Sequence, residues 1–94
     1  MAAYWVAHVE VTDPETYGKY AALATEAIAA HGGEFLARGT RTLWFEGKER
    51  ARNVIVRFDS VEDAEACYRS PAYQEALQFA LASAERDLCI IEGS

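Results

Sequence analysis

Two stretches of this chain are apolar on both strand parities, and that property constrains its fold more than any other. In Tyr4 to Val11, YWVAHVEV, aromatic and β-branched residues dominate, the types that favour extended backbone. Trp5, Ala7, Val9 and Val11 alternate on one side, the expected core face, while Tyr4, Val6, His8 and Glu10 occupy the other. In Asn53 to Phe58, Val54, Val56 and Phe58 alternate with Ile55 and Arg57. Strands of this kind need cover on both faces.

The chain has 94 residues, 51 % of them hydrophobic and 12 % aromatic. Residues 1 to 94 therefore read as one globular domain, since domains cluster at roughly 100 to 150 residues and disordered chains lack this much apolar surface. A chain this short buries only about 60 to 65 % of the surface that its unfolded form exposes, so a second subunit is expected to supply further burial. No apolar run approaches the ~20 residues of a membrane helix, and Met1 to Val11 lacks a basic leader followed by a hydrophobic signal segment. The expected location is the cytoplasm, with no membrane partner.

Cys67 and Cys89 lie far apart among apolar neighbours, with no CxxC and no histidine at metal-ligand spacing. Both read as buried small hydrophobes, and neither a metal nor a cofactor is expected. A net charge of −6 argues against nucleic acid. The charge is uneven, however. Arg38, Arg41, Lys48, Arg50, Arg52 and Arg57 fall in one short segment, opposed there only by Glu46 and Glu49. This is either an anion-attracting hairpin or a solvated turn paired with Glu62, Asp63 and Glu65 of the same chain or of a partner.

Asp13 suits a helix N-cap, Pro14 the first helical position and Glu15 the positive end of the helix dipole. Tyr17, Tyr20, Ala21, Ala24, Ala27, Ile28 and His31 then recur at helical spacing until Gly32-Gly33, predicting a helix over about 14 to 31. Glu34 to Glu46 reads as one long strand bent at Gly39-Thr40, with the facing of Trp44 left open. Gly47 to Arg52 reads as a hairpin loop into the strand from Asn53. Ser60 and Asp63 resemble a capping box for a short helix with Ala64, Cys67 and Tyr68 inward. Ser70-Pro71 interrupts it and restarts a second part carrying Tyr73, Leu77, Ala80 or Leu81, and Ala84 inward. Leu88 to Glu92 is the last strand. The order βαββαβ is that of an α+β, ferredoxin-like sandwich, an antiparallel sheet with its helices on one face. Its first and third strands are central, so Val6 and Ile55 would lie on an uncovered apolar face, which a two-fold partner is expected to cover.

Several segments together resemble the bacterial family called domain of unknown function 1330, of the dimeric α/β-barrel superfamily. They are Tyr4 to Tyr17, Gly32 to Gly39, Glu46-Gly47 with Arg52 to Ser60, Tyr68 to Tyr73, and Ile90 to Gly93. The resemblance spans nearly the whole chain and implies a homodimeric barrel without implying a particular activity.

His8 is the leading candidate for chemistry, because the open face of a central strand places it between two sheets, where its charge state can be tuned. Arg38 and Arg57 fall on that face if the pairing register is regular. With Glu10 as counter-charge, such a group would bind a carboxylate or enolate, His8 moving a proton and an arginine stabilising negative charge; the alternative is a hydrogen-bonded polar cluster inside the interface. Tyr68, Tyr73 and Trp44 either line an aromatic pocket or belong to the core. Ser70 reads as a cap and His31 as a structural residue at a helix end. Gly32-Gly33 follows a helix, the wrong order for a phosphate cradle.

The leading expectation is a small homodimer that binds a small organic molecule, anionic or aromatic, in a cavity of the barrel. The alternative is a cofactor-independent monooxygenase or isomerase with His8 as acid or base beside an arginine, by analogy with enzymes of the same architecture.

Overall fold

The computed structural model describes residues 1–39 and 41–94, so the Thr40 half of the expected Gly39-Thr40 bend lies outside the described residues. The elements run β1 (Ala3–Val11), α1 (Pro14–Ala30), β2 (Glu34–Ala37), β3 (Arg52–Phe58), α2 (Val61–Arg69), α3 (Pro71–Ser83) and β4 (Ala84–Glu92). The four strands form one antiparallel sheet in the order β2-β3-β1-β4, which is the ferredoxin-like arrangement with β3 and β1 central. No helix among the described residues is long and apolar enough to cross a membrane.

Local chemistry places the helix ends where the sequence predicts them. The Asp13 carboxylate accepts from Thr16 N at 3.4 Å and from Thr16 Oγ1 at 2.7 Å, and Pro14 follows at the first helical position. Gly32 has φ +79°, the left-handed geometry that ends α1. At Gly33 a side chain would collide with the neighbours, since a Cβ would sit 2.5 Å from Ile28 Cγ2 and 2.9 Å from the Phe58 ring. Ser60 Oγ accepts from Asp63 N at 3.0 Å to open α2. Ser70 serves two helices at once, donating to Cys67 O at 2.7 Å and accepting from Tyr73 N at 3.2 Å.

One face of the sheet carries all three helices. Trp5, Ala7 and Val9 of β1 and Val56 and Phe58 of β3 are buried there, against Tyr17, Tyr20, Ala24, Ala27 and Ile28 of α1 and Tyr73, Ala76, Leu77 and Ala80 of α3. Trp5 anchors this core, with the Tyr73 ring edge-on at 5.0 Å and Phe58 at 5.8 Å. Leu81 points outward instead, and Ala84 already belongs to β4.

Three expectations need correction. The long strand over 34–46 stops at Ala37, because the β2–β3 pairing becomes irregular between Phe35 and Ala37 and the chain then leaves the sheet edge. β4 begins at Ala84 rather than Leu88, since it pairs with β1 along its whole length, from Val11↔Ala84 to Ala3↔Glu92. That register turns Ala84, Arg86, Leu88 and Ile90 toward the helices and Glu85, Asp87, Cys89 and Ile91 away from them. Cys89 is accordingly exposed, and only Cys67 is buried.

Candidate functional site

Each side of the sheet has a concavity of its own. Between α1 and the sheet lies a cavity of about 80 Å³. It exists because small residues face each other there, Ala7 on β1 and Ala21 and Ala24 on α1, while Trp5, Val54 and Ile28 complete apolar walls. All three charged residues that line it are arginines, Arg38, Arg52 and Arg86. None of the three forms an ion pair among the described residues. Each instead lies over an aromatic ring, Arg38 at 4.1 Å from the centroid of Phe35, Arg52 at 5.2 Å from Tyr17 and Arg86 at 4.7 Å from Tyr20. In a chain of net charge −6, this is a concentrated positive site in a low-dielectric wall.

Arg86 is the innermost of the three. Its Nη2 donates to the Tyr20 hydroxyl at 2.9 Å and to the Tyr73 hydroxyl at 3.1 Å, and those hydroxyls bond each other at 2.7 Å. Its Nε is sealed from solvent and has no acceptor among the described residues. Burial raises the Tyr20 phenol well above the ordinary tyrosine range, so at neutral pH the ring stays uncharged and supplies no counter-ion. Arg86 is thus a half-buried cation held by two neutral hydroxyls, which makes this trio conspicuous.

On the opposite, open face, His8 Nδ1 lies 2.6 Å from Asn53 Oδ1. The Asn53 amide nitrogen donates to Thr42 Oγ1 and to Arg50 O, both at 3.1 Å, which turns its oxygen toward the imidazole. Neutral His8 therefore carries its proton on Nδ1 and keeps Nε2 as a free base. The Trp44 ring stands edge-on at 5.3 Å from His8, so its facing is toward the open side. His8, Trp44, Arg41 and Ile55 share a cavity of about 360 Å³ there. The segment after β2 is tied across this face by Arg50, which donates to Glu85 at 3.2 Å and Asp87 at 3.3 Å, with Lys48 at 3.5 Å from Glu85. Lys48 and Arg50 thus pair with β4, and the expected pairing with Glu62, Asp63 and Glu65 is not the one these two residues make.

The predicted site residues are divided by the sheet. Arg38 lies on the helix side against Phe35, since the irregularity in β2 breaks the register that would have put it with His8. Arg57 shares the open face with His8 but pairs with Tyr4, four residues along β1, and donates to Asp59 at 3.0 Å. Tyr73 is core, and the half-buried Tyr68 packs against it with the rings tilted and 5.2 Å apart, on the far side of the sheet from Trp44. Sequence reasoning passed over Arg86, Tyr20 and Asn53. The signal for Arg86 was its parity with Leu88 and Ile90, visible only once the last strand is extended to match the nine residues of β1. Among the described residues no group of three His, Cys, Asp or Glu gathers as a metal site.

The sequence profile described as Domain of unknown function (DUF1330) matches residues 2–94. The chain belongs to this family. No curated protein matches it. Among solved structures, the RPA0582 protein of unknown function from Rhodopseudomonas palustris is similar, with a TM-score of 0.83 at 18 % identity over 99 % of this chain and 82 % of that one. A dimeric ferredoxin-like protein of unknown function from Jannaschia sp. CCS1 has a TM-score of 0.78 at 14 % identity over 99 % and 100 % of the two chains. SnoaB, a cofactor-independent oxygenase from Streptomyces nogalater, has a TM-score of 0.71 at 13 % identity over 99 % and 93 %. At these identities the DUF1330 chain shares a fold with the three structures, and its function rests on its own residues.

Proposed function

We propose that the chain is a homodimeric binding module that takes a small organic molecule into the cavity between α1 and the sheet. The observation that carries this reading is the cavity itself, which combines apolar walls with charged groups of one sign, the pattern of a ligand site. The dimer is supported by the open face, where Ile55 and Ile91 are 37 % and 54 % exposed beside Val6 with no helix layer above them. A two-fold partner would cover this sheet and enclose His8 and Trp44. Solved structures of the same fold that are described as dimeric support a dimer. A reducing compartment, the cytoplasm, suits the two free thiols.

Trp5 lines the cavity and Trp44 does not, so a Trp44→Phe protein reports on the cavity through Trp5 emission alone. Small organic acids are expected to change that emission saturably. Ala21→Phe, which fills the cavity from its rim, should abolish the change. A saturable response that survives Ala21→Phe would place the ligand elsewhere.

A second reading is favoured by the His8–Asn53 bond: cofactor-independent oxygenase or isomerase chemistry at the open face, with Nε2 of His8 as base and Arg41 as the nearby cation. A substrate consumed by the wild-type dimer and left untouched by a still dimeric His8→Ala protein would carry it.

A further inference from the structure

We infer that the ligand of the α1–sheet cavity is a short-chain aliphatic monocarboxylate whose carboxylate is received by Arg86 and Tyr20, with Tyr73 behind them as a positioning residue; the inference rests on the cavity being the binding site.

Hydrogen-bond arithmetic at the trio points to an acceptor. The Tyr20–Tyr73 bond uses one of two phenolic hydrogens, and both phenol oxygens already accept from Arg86 Nη2. With Tyr73 as the donor in that bond, Tyr20 keeps a hydroxyl hydrogen with no acceptor among the described residues, at the wall of the cavity it lines, and Arg86 beside it has no anion there. A neutral hydrogen-bonding ligand would absorb the spare donor and leave the charge. A carboxylate answers both, because its oxygens only accept and its charge is the opposite of the guanidinium's.

Charge and size narrow the class further. One guanidinium lies inside, while Arg38 and Arg52 are exposed at the mouth, so a single negative charge is matched at depth. The walls beyond Arg86 and Tyr20 are the methyl and isopropyl groups of Ala7, Ala24 and Val54, which suit an aliphatic stem better than further polar groups. A volume of about 80 Å³ is roughly half of the ~150 Å³ that holds a benzene ring, so a short stem fits and a ring does not. The mouth arginines would attract the acid before it enters.

The test uses the Trp44→Phe dimer titrated with butyrate and with butyramide, its neutral analogue of nearly the same shape, against potassium chloride at matched ionic strength. Butyrate is expected to quench or shift Trp5 emission saturably, butyramide to bind at least tenfold more weakly, chloride to give no saturable change, and Arg86→Met to weaken butyrate at least tenfold. Equal binding of butyrate and butyramide would overturn the carboxylate assignment and leave the cavity reading intact. Undiminished butyrate binding by a folded Arg86→Met protein would likewise overturn it. Absence of binding by either compound would overturn the short-chain monocarboxylate assignment, while the cavity reading is decided separately by the Ala21→Phe titration. If Arg86→Met does not fold, the butyrate-to-butyramide ratio of the unsubstituted cavity decides alone.

Discussion

Arg86 meets Tyr20 in two ways: Nη2 donates to the hydroxyl at 2.9 Å, and the guanidinium carbon lies 4.7 Å from the centroid of the same ring. Both contacts offer electron density and neither offers a negative charge. Cation–π contacts of this sort contribute about 0.5 to 2 kcal/mol, less than full desolvation of a guanidinium costs. The trio therefore holds a half-buried cation through neutral partners alone, with no anion against it among the described residues.

Removing that cation should relieve the empty protein. Arg86→Met keeps the aliphatic packing of the side chain and leaves the Tyr20–Tyr73 bond in place. Urea unfolding at fixed protein concentration is expected to give a stability equal to wild type or up to about 2 kcal/mol higher, as for other buried charges replaced by apolar groups. A loss of more than about 1 kcal/mol would mean that the charge is already well compensated.

The open face yields a second expectation. Ile55 sits opposite Val6 at the centre of the sheet, where a charge would be buried by a second subunit. Light scattering should give about twice the chain mass for wild type and the single chain mass for Ile55→Glu at micromolar concentration. A wild-type monomer, or an undisturbed dimer in Ile55→Glu, would remove the open face as the interface.

What the sequence discloses is mostly what is local. The caps at Asp13, Ser60 and Ser70 act over three residues, so their chemistry is readable from neighbours, and the alternation in β1 states its two faces outright. The candidate site is harder because it depends on register. One irregularity between Phe35 and Ala37 moves Arg38 to the helix side, away from His8. Arg50 finds Glu85 and Asp87 across some 35 residues of chain, a choice of partner that charge counting cannot make. Arg86 hides in AERD, whose charged residues resemble a loop until pairing with β1 shows that Arg86 faces inward and Glu85 and Asp87 outward.

His8 should hold one tautomer. Nitrogen-15 spectra of the imidazole in its neutral form are expected to show the proton on Nδ1, held by Asn53 Oδ1 at 2.6 Å. In Asn53→Ala the proton should shift toward Nε2, with the fold retained by circular dichroism. An Nε2–H tautomer in wild type would contradict the orientation of Asn53 and the role of Nε2 as a base.

Alkaline pH should weaken the fold in a defined window. Burial pushes the Cys67 thiol from 9.0 up to about 11, so the thiolate is favoured in the unfolded chain. The contribution is complete below pH 9 and is lost as pH rises toward 11, because a folded-state pKa above the unfolded one means that the native state holds the proton longer. Tyr17 and Tyr20, raised by burial as well, add to the loss at higher pH. Unfolding free energy measured from pH 8 to 11 should fall, and Cys67→Ala should flatten the earlier part of that fall. An unchanged slope in Cys67→Ala would show that the thiol does not titrate with unfolding.

The carboxylate receptor is tested most directly at the Arg86 Nε–H, observed by nitrogen-15 correlation spectroscopy of the dimer. Butyrate is predicted to move this resonance saturably, together with the backbone amides of Tyr20 and Tyr73, while butyramide leaves it in place. Saturable binding of butyrate that shifts amides around His8 and Trp44 and leaves the Arg86 Nε–H unmoved would contradict the account.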